Sequence, residues 1–413
     1  MSSDAAGLQS PSMSQSALTD APEAHGGWGD TVIPVFLLAL LLPLRGLHLL
    51  IPGFPDWPIN TMAAIALAAL AAFSPSRWAV RVPLLPSAAL ALWLSMLAST
   101  FLTQPDFDVR RAGSLTALVA LAYVVGSGRL HVDSLRRGIG VALVAGVAIG
   151  LIQMQDATGY VGRLAGILGD PNGVGFALVT LGFIVGQQLT NRKHIALLWV
   201  FLAGGIWLTQ SRTSMFAFAV ATLWVLFGRR IGRTVGILSL IAITWAYQWT
   251  SAFVERQGWF VERLGSDQLR ERLAETEQTL TSTAGMWGHG LGSAIAQFDG
   301  VTLFFHNSYR ALQAEGGLVA LILLLIMGAA LFWSFHTLPN DRRPVWGEAA
   351  LIAGAICSLN IGYSLTSVQM ATAVGMFLAY QGLAREQLAN EDAQAPEQLA
   401  RNERASVESV PEQ

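Results

Sequence analysis

The sequence has little charge and almost no residue that could cross-link the chain. Only 13% of its 413 residues are Asp, Glu, Lys or Arg, whereas 53% are hydrophobic, and the mean hydropathy is +0.49. Such a composition is typical of proteins that cross a membrane several times and not of soluble domains. Cys357 is the only cysteine, so no disulfide can form within the chain.

Lysine is almost absent, since Lys193 is the only lysine among 25 basic residues and all the others are arginine. The formal net charge of −2 argues against nucleic acid as a partner. Arginine binds phosphate through two parallel hydrogen bonds, which lysine cannot do. A high genomic GC content would produce the same preference for arginine.

Several motifs of enzyme active sites are also missing. No His, Cys, Asp and Glu residues recur at the spacing of metal ligands. The glycine-rich stretch 285–292 lacks the Gly-Lys-Ser/Thr ending of a nucleotide-binding loop, although its backbone amides could approach a ligand closely. His289 within it is expected to be a surface turn residue. The sequence therefore predicts chemistry without a metal ion, a nucleotide or another cofactor.

Long apolar runs recur along the whole chain, and about twelve are long enough, or nearly so, to cross a bilayer. The sequence therefore predicts an all-α, polytopic membrane protein with about twelve transmembrane helices. These runs lie near residues 31–50, 59–73, 84–102, 113–126, 136–154, 173–189, 194–208, 212–228, 232–252, 316–335, 346–364 and 367–382.

Basic residues predict the orientation of these helices, because short cytoplasmic loops carry an excess of arginine and lysine. Alternate loops contain such residues, which places them on one side with both termini. The predicted parts are a disordered cytoplasmic tail (1–30), transmembrane helices 1–9 (31–252), a mainly helical periplasmic loop with a histidine helix (253–315), transmembrane helices 10–12 (316–382) and a cytoplasmic tail (383–413). The basic residues of those loops are Arg77, Arg81, Arg129, Arg136, Arg137, Arg192, Lys193, Arg229, Arg230, Arg233, Arg342 and Arg343.

The stretch HNSYRALQAEGG, residues 306–317, is the most promising candidate site. On a helix, His306, Tyr309 and Arg310 share one face. A neutral histidine can remove a proton from an attacking hydroxyl, and an adjacent arginine can stabilise an anion. Glu315 follows before a Gly-Gly pair and an apolar run. The alternative is a polar interfacial helix that only caps a membrane span.

The presence of arginines in the predicted outward loops requires an explanation, because the positive-inside rule disfavours arginine on that side of the membrane. For Arg110 and Arg111 we expect ion pairs with the adjacent Asp106 and Asp108. For Arg212, which has no acidic residue nearby in the sequence, we expect an anionic ligand.

Four segments, in their order along the chain, resemble the O-antigen ligase and polymerase superfamily. They are RLAGILGDPNG (163–173), TQSRTS (209–214), a long loop that contains Arg270, and HNSYRALQAEGG. The resemblance runs from about the fifth to the tenth predicted span. Members of that superfamily move a glycan from undecaprenyl diphosphate to an acceptor on the periplasmic side of the bacterial inner membrane, without metal or nucleotide.

The resemblance implies an O-antigen ligase that transfers O-polysaccharide from undecaprenyl diphosphate to lipid A–core. It implies His306 as the general base. A repeat-unit polymerase and a protein O-glycosyltransferase are the alternatives within the superfamily, and a flippase or transporter is the alternative outside it. The residues expected to bind the donor diphosphate are Arg163, Arg212, Arg270 and Arg310. Those expected to support the site are Asn307, Asn172, Tyr309 and Glu315.

Overall fold

A computed structural model of the chain describes residues 32–45, 51, 57–82, 84–103, 108–154, 160, 162–254, 264–298 and 301–408. The predicted N-terminal tail, residues 1–30, lies outside this part of the chain. The described residues form mainly helices, with one two-stranded sheet. The elements are α1 (Val32–Ala39), α2 (Ile59–Ala72), α3 (Leu85–Thr103), α4 (Val109–Gly126), α5 (Val132–Gln153), α6 (Pro171–Gly186), α7 (Arg192–Thr209), α8 (Arg212–Phe227), α9 (Arg233–Val254), α10 (Leu264–Thr283), β1 (Ile295–Phe298), β2 (Val301–Phe304), α11 (Ser308–Ser334), α12 (Val345–Cys357) and α13 (Val368–Glu408).

A helix lies within each of the predicted apolar segments, and the chain is mostly helical as the sequence indicates. Four of the described helices, α3, α4, α5 and α11, are long and apolar enough to cross a membrane by length and composition. These four helices support the prediction that the chain is a membrane protein. The full set of about twelve spans, and the side on which each loop lies, stay predictions.

Two of the predicted segments end differently from the sequence-based expectation. The segment 346–364 was expected to be one span, but α12 ends at Cys357 and the chain then turns through residues 358–367. The C-terminal segment 383–413, predicted to be a polar cytoplasmic tail, is helical as far as Glu408, where α13 ends. The turn after α12 matters most, because it contributes side chains to the candidate site.

The helices pack so that their connections gather at two ends. One end, the Arg343 end, joins the basic loops: Arg129 donates to the Ser74 carbonyl, and Arg233 donates to the carbonyls of His336 and Leu338. Most of the basic residues used to predict the cytoplasmic side therefore lie together.

Arg343 itself is a buried structural residue of that end. Its guanidinium donates to both carboxylate oxygens of Glu348, over 2.9 and 2.6 Å, and both side chains are completely buried. Trp224 donates a further hydrogen bond to Glu348, and Arg343 donates to the Gly228 carbonyl. These bonds connect α8, the loop before α12, and α12, and they leave Arg343 with its charge compensated.

The opposite end, the His306 end, contains the residues of interest. The Arg45 backbone N–H donates to Ile167, and the Leu164 N–H donates to Leu208, so the connections after α1, α5 and α7 meet there. The Leu291 N–H donates to Thr100 at the end of α3. The segment between α10 and α11 therefore packs on the helices and does not project away as a separate domain.

That segment contains an antiparallel hairpin, in which Ile295 pairs with Phe304 and Phe298 with Val301. Under it lies a small core of Ala294, Phe305, Ala311 and Ala314, separate from the main core between the helices. The small core fixes the end of β2 against the first turns of α11.

Helix α11 is broken at Gly317, whose φ of 68° and ψ of −165° are not helical. A break leaves carbonyls without partners before it and N–H groups without partners after it. The glycine-rich turn 285–292 supplies both: the N–H groups of His289 and Gly290 donate to the carbonyls of Ala314 and Glu315. Its carbonyls also accept from the N–H groups that follow the break, namely Gly285 from Leu318 and Met286 from Val319.

Candidate functional site

His306 lies before helix α11 and not on it. The helix begins at Ser308, and Asn307 is its N-cap, so the expected helical face that includes His306 with Tyr309 and Arg310 is wrong at its first residue. The Asn307 side chain accepts hydrogen bonds from the N–H groups of Tyr309 and Arg310, over 2.9 and 3.0 Å. The His306 side chain is exposed directly in front of this cap, and its Nδ1 lies 3.4 Å from the Phe304 carbonyl.

A buried carboxylate on α10 fixes the backbone at His306. Glu277 accepts a hydrogen bond from the His306 backbone N–H, and its other oxygen lies 3.7 Å from the guanidinium of Arg310. Only 5% of the Glu277 side chain is exposed, against 43% of that of Arg310. The carboxylate therefore connects the backbone at the exposed histidine to a partly exposed arginine, and the rest of the guanidinium stays accessible.

The next residues of α11 attach its start to the turn after α12. The Ser308 backbone N–H donates to the Ser358 carbonyl, and its hydroxyl donates to Ile361 over 2.6 Å. The Tyr309 hydroxyl donates to the Ala355 carbonyl over 3.1 Å. Tyr309 thus attaches the start of the helix to α12, and its supporting role in a site stays a prediction.

Glu315 is completely buried and joins three segments of the chain. One carboxylate oxygen lies 3.3 Å from the guanidinium of Arg111, and the other accepts from the Tyr363 hydroxyl and the Gly292 N–H, both over 3.0 Å. Burial first, and then the nearby Glu315 carboxylate, raise the pKa of Tyr363, so its hydroxyl stays a donor at neutral pH.

The expected ion pair between Arg111 and Asp108 is wrong, whereas the pairs expected with Asp106 stay predictions. The Asp108 carboxylate caps α4 by accepting from the backbone N–H of Arg111, and Asp106 lies outside the described residues. The Arg111 guanidinium instead contacts Glu315, donates to Thr366 over 3.0 Å and lies 4.2 Å above the Tyr363 ring. Tertiary packing supplies a partner that is 204 residues away in the sequence.

Arg163 lies at the same end, on the connection between α5 and α6. Its Nε donates to the Thr209 carbonyl over 3.0 Å, next to the turn at which Arg212 opens α8. Asn172 is in the first turn of α6, which Asp170 caps through the Gly173 N–H. The sequence therefore identified a pair of connections that the fold brings into contact.

Further contacts relate Arg212 to the start of α11. Helix α8, which Arg212 opens, packs against α12, whose last residue is Cys357. The next residue, Ser358, accepts the Ser308 N–H. Arg163, Arg212, Arg310 and His306 accordingly share the His306 end. Arg270 lies on α10, and its side chain is outside the part of the chain that is described.

The glycine-rich turn uses the amides of residues 288–292 for bonds within the protein, so these amides do not approach a ligand as the sequence suggests. Its amides are bonded to Ala314, Glu315 and Thr100. The expectation for His289 as a turn residue is compatible with its contacts, since its Nε2 lies 3.0 Å from the Leu280 carbonyl at the end of α10.

Two site residues were missed by reasoning from the sequence. Glu277 lies on α10 and Tyr363 within a predicted span, and neither is among the site residues that the sequence predicts. A buried acidic residue in a predominantly exposed helix carries no sequence signal. Gly362, directly before Tyr363, is a weak signal in the sequence that a turn occurs there.

Among the residues that the structure describes, no three His, Cys, Asp or Glu side chains come close enough together to bind a metal ion. No protein-family model matches the chain, and the search of curated proteins found no relative.

Proposed function

We propose that the chain is a glycosyltransferase that moves a glycan from a polyprenyl diphosphate to a hydroxyl group, with His306 as the general base. The observation that supports it best is the position of His306. Its ring is exposed, its backbone is bonded to the buried Glu277, and the same carboxylate lies beside Arg310. A base fixed by its backbone beside a cation suits proton removal next to an anionic leaving group.

The chemical step needs one base and no acid. The imidazole of His306 takes the proton of the acceptor hydroxyl while the hydroxyl oxygen forms a bond to the anomeric carbon of the donor sugar. The bond between that carbon and the diphosphate oxygen breaks, and the diphosphate leaves as an anion with the electron pair. Because the attack and the departure occur on opposite faces, the anomeric configuration inverts.

The leaving diphosphate requires positive charge near the base. Arg310 is the arginine with a described link to His306, through Glu277. Arg163 and Arg212 lie at the same end of the helix bundle, and Arg270 completes the expected set. Arginine can hold two oxygens of a diphosphate at once, which is why we assign these residues to the donor.

The first choice of substrates is an undecaprenyl-diphosphate-linked O-polysaccharide as the donor and lipid A–core as the acceptor. This makes the chain an O-antigen ligase of the bacterial inner membrane, with the His306 end in the periplasm. Its closest alternatives use a growing glycan or a protein as the acceptor. The arginines at the His306 end favour an anionic donor for all three.

The acceptor is identified by offering all candidates to the same preparation. Purified protein in detergent is mixed with a lipid-diphosphate glycan and, in separate reactions, with lipid A–core, a second lipid-linked glycan or a serine-containing peptide. We expect a larger product only with lipid A–core. Elongation of the lipid-linked glycan would replace the ligase with a polymerase, and a glycosylated peptide would replace it with a protein glycosyltransferase.

A transport function makes a different prediction. A flippase would move the intact lipid-linked glycan across a vesicle membrane without changing its mass. We expect reconstituted protein to consume the donor only when an acceptor is present, and to do so equally well with EDTA because no metal takes part in the step. Movement of the donor without an acceptor, or rescue of EDTA-treated protein by Mg²⁺ or Mn²⁺, would contradict the proposal.

A further inference from the structure

A polar cavity of about 320 Å³ lies at the His306 end, on the side of α2, α4 and α13. Three arginines line it, Arg45, Arg110 and Arg111, and none of them belongs to the set expected to bind the donor. The lining also contains hydroxyl and amide groups, from Asn60, Thr61, Ser114, Thr366 and Ser367. None of the described lining residues is acidic.

The cavity lies where three helices begin. Its lining includes residues of the first turns of α2 and α4 and the residues that lead into α13. Helix N-termini carry the positive ends of the helix dipoles, although side chains cap some of their N–H groups, as Asp108 does at α4. The three helix ends and the three guanidinium groups together favour an anion in the cavity.

Acidic side chains lie behind two of the three arginines and compensate part of their positive charge. Glu315 is engaged by Arg111, and Asp170 faces Arg45 while its carboxylate caps α6. Arg110 is exposed at the start of α4. The Nε of Arg111 is buried and has no hydrogen-bond partner among the described residues, so one donor of this partly buried guanidinium is unsatisfied.

The cavity adjoins the candidate active site through a continuous set of contacts. Arg111 lies 4.2 Å from the Tyr363 ring, and that ring lies 5.4 Å from the ring of Phe304. Phe304 is two residues before His306, whose Nδ1 is 3.4 Å from the Phe304 carbonyl. A ligand that contacts Arg111 in the cavity would therefore be separated from the strand end before His306 by the Tyr363 ring.

We propose that this cavity is a second anion site, which binds a phosphate or diphosphate group carried by a membrane lipid. Two lipids of the proposed reaction carry such a group, the polyprenyl diphosphate donor and a phosphorylated lipid A–core acceptor. The site itself does not depend on the proposed function, because binding of a phosphate can be measured without any transfer of sugar.

The test uses purified full-length protein in detergent and inorganic pyrophosphate as the probe. Trp57 lines the cavity, so its fluorescence reports occupancy when the signal of the Trp57→Phe variant is subtracted. We expect pyrophosphate to bind, and to bind about tenfold or more weakly to Arg110→Gln and to Arg45→Gln, since each loses a charge-assisted hydrogen bond. Arg110 is exposed, so its replacement should leave the fold intact.

The matched control is Arg77→Gln, an exposed arginine at the opposite end that pairs with Glu386. It should bind pyrophosphate as the wild type does. Equal affinity of the wild type, Arg45→Gln and Arg110→Gln, or a fluorescence change that persists in Trp57→Phe, would overturn the proposal.

Competition then identifies the source of the phosphate. Displacement of pyrophosphate by undecaprenyl diphosphate would assign the cavity to the donor, and displacement by phosphorylated but not dephosphorylated lipid A–core would assign it to the acceptor. Displacement by neither would contradict a lipid-borne phosphate. If pyrophosphate binds as expected while no glycan is transferred in the acceptor assay, the proposed function fails and the anion site stands.

Discussion

At the scale of single residues, the chain places acidic side chains where they compensate arginines that are distant in sequence. Glu315 pairs with Arg111, and Glu277 lies near Arg310. The sequence singles out Arg310 and Glu315 as polar residues beside an apolar run. It could not supply their partners, because a contact across 204 residues leaves no periodicity and no local charge pattern.

The pair of Arg111 and Glu315 is expected to act as a unit. The Glu315 side chain is 1% exposed, so Glu315→Gln should leave an uncompensated cation and destabilise the protein by about 3–5 kcal/mol. The double variant Arg111→Met with Glu315→Gln should lose less than the sum of the single variants, with a coupling of about 1–3 kcal/mol.

Thermal unfolding of the purified protein in detergent measures this cycle. Arg137→Met is the matched control, since Arg137 pairs with Asp133 while 68% of its side chain is exposed, and such pairs contribute about 0–1 kcal/mol. Additive effects of the two single substitutions would show that Arg111 and Glu315 do not stabilise each other.

Glu277 is expected to be a positioning residue for His306. Glu277→Ala removes the acceptor of the His306 backbone N–H, so kcat should fall about tenfold or more while KM for the acceptor changes little. Glu277→Gln retains an acceptor oxygen and should recover much of the activity. The control is Glu275→Ala, an exposed residue of the same helix. Wild-type kcat in Glu277→Ala would remove the residue from the site.

At the scale of elements, hydrophobic patterns predicted where the helices lie and failed to predict how two of them break. Runs of apolar residues placed a helix in every expected segment. They gave no sign that α12 would stop at Cys357, because the turn that follows contains apolar residues such as Leu359 and Ile361. The glycine-rich turn was recognised, but its use in bonding the broken ends of α11 requires contacts that only the folded chain makes.

The break at Gly317 gives a sharp prediction. Its φ of 68° with ψ of −165° is accessible essentially to glycine alone, and an added Cβ would lie 2.2 Å from the Met286 carbonyl oxygen. Gly317→Ala should therefore destabilise the protein by at least about 1–3 kcal/mol.

Gly328 provides the matched control within the same helix, because a Cβ there meets nothing within 4 Å. Gly328→Ala should be neutral or stabilising by about 0.5–1 kcal/mol, since alanine favours a helix. The measurement is again the unfolding temperature in detergent, and equal unfolding temperatures for the two variants would contradict the described kink.

At the scale of the whole molecule, the basic loops and the candidate site gather at opposite ends. The alternation of arginines along the sequence anticipated this separation, because charge bias is carried by short loops that the helices bring together. Arg343 is an exception among the basic loop residues. Its side chain is fully buried and paired with Glu348, so it stabilises the fold and is not an exposed loop charge.

This separation predicts the membrane topology. Reporter fusions truncated after Gly265, in the segment of α10, and after Ala393, on α13, should report opposite sides of the membrane, with Gly265 in the periplasm. A fusion after Lys193, in the first turn of α7, serves as the cytoplasmic control. If the fusions after Gly265 and Ala393 report the same side of the membrane, the twelve-span topology is contradicted.

The rate of glycan transfer by His306 variants tests the central claim most directly. His306→Ala and His306→Gln should each lower turnover by about 10²- to 10⁴-fold, because neither side chain can take the proton of the acceptor hydroxyl. His194→Ala, which replaces an exposed histidine at the start of α7, should transfer as the wild type does at equal protein concentration and equal unfolding temperature. Near-wild-type turnover in His306→Ala would contradict the account.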